Sequence, residues 1–222
     1  MSGGHHHDHV HDGHDHDHAP IHAHEPRDEF RRLERAVREI LVAKGILAPD
    51  EVRKQIELMD SRNPAMGARL VARAWTDPAF KARLLDDAKK AAGELGIDTS
   101  NTAAVVALEN TDTLHHMVVC TLCSCYPKAI IGVPPAWYKS SAYRARAVKE
   151  PRKVLAEFGT VIPDGVEIRV VDSTADLRYL VLPRRPAGTE GWDETRLASL
   201  VGRDSMIGTT VPALPERRQQ DA

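Results

Sequence analysis

Between Glu25 and Gly96 the apolar residues recur every three to four positions, the spacing of one face of an α-helix. DEFRRLERAVREILVAKG puts Phe30, Leu33, Val37, Ile40 and Leu41 on one stripe and stops at Gly45. PDEVRKQIELMDSRN starts with Pro49 at a first-turn position, where no backbone N–H is needed, and repeats Val52, Ile56 and the pair Leu58 and Met59. PAMGARLVARAWTDPAFKARLLDDAKKAAGELG predicts two helices broken at Asp77 and Pro78. These stripes read as packing faces, and a helical arm with little else to pack on also suits a partner subunit.

From about Thr102 the period changes. AAVVAL and HMVVC are short apolar runs with the character of strands. SSAYRARAVKEPRKVLAEFG predicts one or two basic helices closed by Gly159. GVEIRVVDS and LRYLVLP predict two strands joined by a short polar turn around Ser173 to Asp176, and DETRLASLVGRDS a last short helix. Helices first and mixed elements afterwards give an α+β fold, an N-terminal helical arm followed by a layered α/β domain. No internal repeat, phosphate-binding glycine loop or G-x-S-x-G elbow is present.

Composition narrows the class. A net charge of −2 gives no footing for nucleic acid or a bare membrane surface. No run approaches the roughly 20 apolar residues of a membrane span, and the N-terminus lacks a signal-like apolar segment. The chain therefore reads as cytoplasmic, where thiols stay reduced. Ten of its 12 histidines lie in HHHDHVHDGHDHDHAPIHAH, His5 to His24. Nothing in that head can form a core, so disorder is expected. Its imidazoles bind transition metals loosely, which gives a metal-collecting tail, with an inert solubilising extension as the plainer reading. The organisation expected is a tail over residues 1–26, a helical arm over 27–96 and an α/β catalytic domain over 97–222.

All three cysteines fall in one turn, Cys120-Thr-Leu-Cys123-Ser-Cys125. An odd, clustered count argues against a disulfide framework, although the Cys120–Cys123 spacing tolerates a loose bridge. Clustered thiolates hold soft or borderline metals. A zinc or iron–sulfur site normally takes four protein ligands, and three thiolates leave the set unfinished. The backbone can complete it. The amide nitrogen of Cys125 can close a five-membered chelate with its own sulfur, and that of Ser124 a six-membered one with the Cys123 sulfur. Deprotonating peptide nitrogens is costly, and a trivalent ion is the kind of partner that compensates. Two nitrogens and two sulfurs would form a plane, with Cys120 below and a sixth position open, the arrangement of a catalytic Lewis acid. His115 and His116 lie just upstream and are better strand-edge or interface residues than ligands.

HHMVVCTLCSCYP, GVPPAWYKSSAYRARAVKEPRKVLAEFG, RYLVLPRRPAGTEGWDE and GRDSMIG resemble the alpha subunit of the nitrile hydratases, in order, from about Phe30 to Gly208. The resemblance implies a low-spin, non-corrin Co(III) centre, or less favourably Fe(III), with Cys120, Cys123 and Cys125 as sulfur ligands and Ser124 and Cys125 as backbone nitrogen ligands. By position Cys123 would be the sulfinate and Cys125 the sulfenate. Thr121 resembles the cobalt type. The implied reaction is hydration of a small nitrile to its amide, with Cys125 as nucleophile or base and Ser124 beside it. It implies a beta-type subunit, whose arginines bond the oxidised sulfurs, and a metallochaperone or activator.

One departure stands beside the turn. Where the nitrile hydratase pattern usually continues with Trp-Pro, this chain has Lys128 and Ala129. Thiocyanate hydrolase gamma subunits share the turn and carry a basic residue there, so the gamma subunit of a thiocyanate hydrolase is the first alternative. A non-catalytic metal carrier or sensor is the second. Lys128 can steer an anionic substrate, contact a partner or face solvent. Asp172, Asp176 and Arg178 suit either a role beside the metal or a strand-turn salt-bridge cluster. The Ser124 and Tyr126 hydroxyls can position water or bond an oxidised sulfur. Trp137 and Tyr138 are expected to anchor the basic helix, and Arg144, Arg146, Arg152 and Lys153 to form a solvated or interface face.

Overall fold

The computed structural model describes residues 28–215, and the histidine-rich head lies outside them. Five helices come first: α1 (Asp28–Ala43), α2 (Pro49–Ser61), α3 (Pro64–Thr76), α4 (Pro78–Asp86) and α5 (Ala88–Glu94). The sequence signals one break in the last three, at Asp77; the chain makes a second at Asp87. Each start has a side-chain cap. Asn63 accepts from the Ala65 N–H, Asp77 from Ala79 and Phe80, and Asp87 from Lys90. Asp87 has no proline after it, so the cap alone restarts the helix.

Burial changes sharply along this helical region. α1 and α2 bury no residue, and the predicted stripe remains open: Phe30, Leu33, Val37 and Ile40 are all exposed. From α3 onward the helices enter the core through Leu70, Val71, Phe80 and Leu84. Among the described residues no helix is long and apolar enough to cross a membrane.

The second half carries β1 (Ala104–Glu109), β2 (Leu114–Val119), α6 (Lys128–Ile131), a 3₁₀ turn (Ala136–Lys139), α7 (Ser141–Lys149), α8 (Pro151–Glu157), β3 (Glu167–Asp172), β4 (Leu177–Leu182), α9 (Glu194–Ala198) and α10 (Arg203–Ile207). The expected last helix is thus two short ones. The strands form two parallel pairs, β1 with β4 and β2 with β3. β3 and β4 are neighbours in sequence but lie in different sheets. The turn between them is a transfer point. The Ser173 N–H donates to the Val119 carbonyl and extends one ladder; the Ala104 N–H donates to the Asp176 carbonyl and begins the other. Parallel pairing needs long crossovers, and the one from β2 to β3 carries the cysteine turn, α6, α7 and α8.

β2 is buried on both faces from His115 to Val119. Trp137, Tyr143 and Phe158 form an edge-to-face aromatic cluster beneath it, with Trp137 ring centroids 4.8 Å from Tyr143 and 4.6 Å from Phe158. Tyr138 is fully buried, as expected of an anchor. Gly208, at φ +89°, ends α10 against β2; a Cβ there would meet the His116 carbonyl at 2.0 Å, so only glycine fits.

The basic face, expected to be solvated or an interface, is corrected in two places. Arg146 is 4% exposed. It donates to Glu150 at 2.6 Å and to both carboxylate oxygens of Glu157, joining α7 to α8. Arg144 turns toward the cysteine turn. A buried guanidinium needs such partners because desolvation is costly. Hydrogen bonds from Arg146, then Lys153, hold the Glu150 carboxyl down at about 2. A depressed carboxyl contributes stability that is fully present above its unfolded pKa and is lost as pH falls toward the folded one. Arg146→Met is expected to lower unfolding stability by about 2 kcal/mol at neutral pH. It should also flatten the loss of stability between pH 4.5 and 2, read from denaturant midpoints across that range.

Candidate metal centre

β2 ends at Val119, and the next residue, Cys120, is buried at its tip. The chain then turns back through Thr121 and an exposed Leu122 to Cys123, which is exposed, and Cys125, which is half-buried. The Cys120 and Cys123 sulfurs are 3.4 Å apart, and those of Cys123 and Cys125 3.2 Å. All three lie within 4.8 Å of one another. A disulfide would require about 2.05 Å, so these are three free thiols.

The turn is held from outside. Asp172, at the end of β3, accepts from the Thr121 N–H at 3.0 Å and from its hydroxyl at 2.5 Å. Arg144 on α7 donates to the Thr121 and Leu122 carbonyls at 3.3 and 3.1 Å. The Tyr138 hydroxyl donates to the Cys125 carbonyl at 2.8 Å, and that of Tyr143 to the Val118 carbonyl at 2.7 Å. These bonds satisfy backbone carbonyls that an irregular turn leaves without ladder partners. Asp172 therefore serves the turn. Among the described residues no ion pair joins it to Arg178.

The thiols are not equivalent. Hydrogen bonds from Cys125 and then Cys120 pull the Cys123 thiol down to about 7, and the Ser124 and Cys125 backbone N–H groups facing it add to this. Burial, then the bond to Cys123, pushes Cys125 up to about 12. Arg178, in β4, acts in the opposite sense on Cys125. Tyr126 is buried directly after the turn, and its hydroxyl lacks a hydrogen-bond partner among the described residues.

His115 and His116 stand within β2, apart from the sulfur cluster. His115 Nδ1 is 3.1 Å from Asn110 Nδ2, and its Nε2 2.7 Å from the Gly208 carbonyl. An amide donor at one nitrogen and a carbonyl acceptor at the other select the neutral Nε2–H tautomer. Burial lowers the pKa of both rings, in agreement. Both are interior strand residues, tying β2 to Asn110 and α10.

The carboxylate of Asp172 anchors the turn through two charge-assisted bonds, one to a backbone N–H and one to a hydroxyl. Asp172→Ala is expected to lower stability by about 1–2 kcal/mol and to speed hydrogen exchange at the Thr121 amide. Thr121→Val, which loses the hydroxyl bond alone, should cost about half as much in the same denaturant titration.

The nitrile hydratase alpha chain family matches residues 28–210. The low-molecular weight cobalt-containing nitrile hydratase subunit alpha of Rhodococcus rhodochrous is 51% identical over 201 residues, covering 89% of this chain and 97% of its own. The thiocyanate hydrolase subunit gamma of Thiobacillus thioparus is 44% identical, covering 85% of this chain and 82% of its own. Among solved structures, a double mutant of the Fe-type nitrile hydratase from Comamonas testosteroni Ni1 superposes with a TM-score of 0.81 at 41% identity, over 86% of this chain and 94% of that one. Fold, sulfur turn and sequence agree, and the chain belongs to the nitrile hydratase alpha-chain family.

Proposed function

We propose that this chain is the metal-bearing alpha subunit of a cytoplasmic nitrile hydratase, working at a non-corrin Co(III) centre held by Cys120, Cys123, Cys125 and the Ser124 and Cys125 backbone nitrogens. The sulfur spacing carries the reading. With a metal–sulfur distance of about 2.3 Å, adjacent octahedral positions put sulfurs about 3.2 Å apart, whereas tetrahedral ones need about 3.8 Å. Two edges of this cluster, 3.2 and 3.4 Å, fit the octahedral case. The cobalt-containing relative supports cobalt over iron.

Such an ion, when bound, supplies a Lewis acid that draws electrons from a cyano nitrogen. The rest falls to this chain. Cys120, buried at the strand end, holds the floor of the site. Cys123 as sulfinate and Cys125 as sulfenate present oxygens at the open edge. The Cys125 oxygen either adds to the cyano carbon or takes a proton from the water that does. The Ser124 hydroxyl orients that water. The balance is one water added across the carbon–nitrogen triple bond, giving the amide with no change in oxidation state.

The assembly requires a beta-type subunit to shield the oxidised sulfurs, and a metallochaperone or activator to load the ion. Within the helical region 27–96, the exposed stripe of α1 is the surface that clasps the partner subunit. The tail over residues 1–26 collects metal for the catalytic domain over 97–222. Thiocyanate hydrolysis at the same centre is the second reading, favoured by Lys128 beside the sulfurs and by the gamma-subunit relative.

The test is intact-mass and metal analysis of the chain co-purified with its partners. One cobalt per chain that resists chelators, with two or three added oxygens on the CTLCSC peptide, is expected. Zinc, or cobalt that a chelator removes at once, would instead indicate a carrier. Cys125→Ala should abolish nitrile hydration, with at least a thousandfold fall in kcat taken as about 4 kcal/mol of transition-state stabilisation.

A further inference from the structure

Arg144 reaches the sulfur turn from α7 and is not among the residues that line the cavity of about 360 Å³ beside Cys123, Ser124 and Cys125. Its guanidinium is half-buried, and its Nε is shielded from water with no acceptor among the described residues. The bonds to the Thr121 and Leu122 carbonyls satisfy donors but cancel no charge. Among the described residues no carboxylate pairs with it. The other arginines of this stretch differ. Buried Arg146 has Glu150 and Glu157. Arg152 also bonds carbonyls alone, those of Ile162, Pro163 and Val166, but it is exposed to water.

A partly desolvated cation without an anion is costly unless something offsets the loss of hydration. The loaded turn is such an anion. Three thiolates and two deprotonated amides carry five negative charges, and a trivalent ion leaves two of them uncancelled. Oxidising two sulfurs to sulfinate and sulfenate keeps that count. Asp172, bonded to the Thr121 N–H, adds a further negative charge beside the turn. Like charges held close together in a shielded space repel. Arg178 lines the cavity with Cys125, and Arg144 is the cation bonded to the Thr121–Leu122 limb.

We propose that Arg144 is a positioning residue that also supplies the counter-charge of the loaded centre. Its donors hold the backbone of the turn, and its charge offsets the negative charge the turn acquires with the ion. The inference rests on the metal-bearing reading above and adds to it what sets the balance between trivalent and divalent cobalt. A nearby cation favours the more negative member of any pair of states. It therefore strengthens the binding of metal by thiolates, and it raises the reduction potential of the bound ion. Losing the cation should weaken the first and lower the second. A backbone clamp without charge would affect binding alone.

The experiment compares the parent with Arg144→Gln and Arg144→Lys, each as the complex co-purified with its partner subunit. Spectroelectrochemistry on the sulfur-to-cobalt absorption reads the balance of the two oxidation states. Arg144→Gln should shift it about tenfold toward the trivalent ion, a potential lower by about 59 mV for one electron, and Arg144→Lys should return most of the shift. An unchanged potential in Arg144→Gln overturns the proposal, and so does a lysine variant that shifts as far. If Arg144→Gln does not fold, Arg144→Lys decides alone: it loses the fork and keeps the charge, so a parent-like potential supports the proposal and a lowered one overturns it. A second measurement uses complexes produced without cobalt, with Co(II) alone as the probe and its thiolate absorption as the readout. Arg144→Gln should bind it about tenfold more weakly than the parent, and Arg144→Lys close to the parent. Equal affinity in all three overturns the proposal. If the parent holds no trivalent cobalt, the metal-bearing reading fails, and the Co(II) affinities still decide whether Arg144 lends its charge to the thiolates.

Discussion

Three sulfurs held at 3.2–3.4 Å along two edges sit inside ordinary van der Waals separation, and as thiolates they would repel one another. Nothing within the six-residue turn can impose that spacing. The force comes from its surroundings: Asp172 and Arg144 grip the Thr121 and Leu122 backbone, and Tyr138 and Tyr143 pin the carbonyls on either side. Charge-assisted and buried hydrogen bonds are the stiff ones, and four separate anchors define the turn's shape. The parallel crossover, the aromatic cluster and the approach of α10 to β2 all serve to put those anchors where they are.

That dependence explains what could be read from the chain and what could not. The clustering of the three cysteines was legible because they lie within six consecutive residues. Helices announced themselves through periodic stripes and through Pro49, Pro64 and Pro78. The restart at Asp87 was not announced, because an aspartate cap without a proline resembles any polar residue in a helix. Strand existence was readable, but pairing was not. GVEIRVVDS and LRYLVLP have the local form of a hairpin, while their partners stand more than fifty positions upstream, from Ala104 to Val119.

The arginines of α7 show the same limit at the level of one side chain. Arg144 and Arg146 both read as part of a solvated or interface face in a basic segment. One is buried against Glu150 and Glu157, and the other holds two carbonyls of the sulfur turn. Two positions apart on α7, they point to opposite sides of the helix, and only the fold shows what each side meets. Asp172 was noticed for its charge, but its partner Thr121 lies fifty-one residues away, and no local pattern joins them.

The position of Asp172 in the chain has a consequence for biosynthesis. Cys120 to Cys125 leave the ribosome first; α7, with Arg144, follows, and β3 emerges last of the anchoring elements. During that interval the thiols belong to an ungripped, oxidisable stretch of nascent polypeptide. Their set of anchors is complete only once β3, with Asp172, has been made. A loading factor that waits for the finished subunit would thus meet a preformed cradle, whereas one acting on the emerging chain would meet loose cysteines free to pair or oxidise at random.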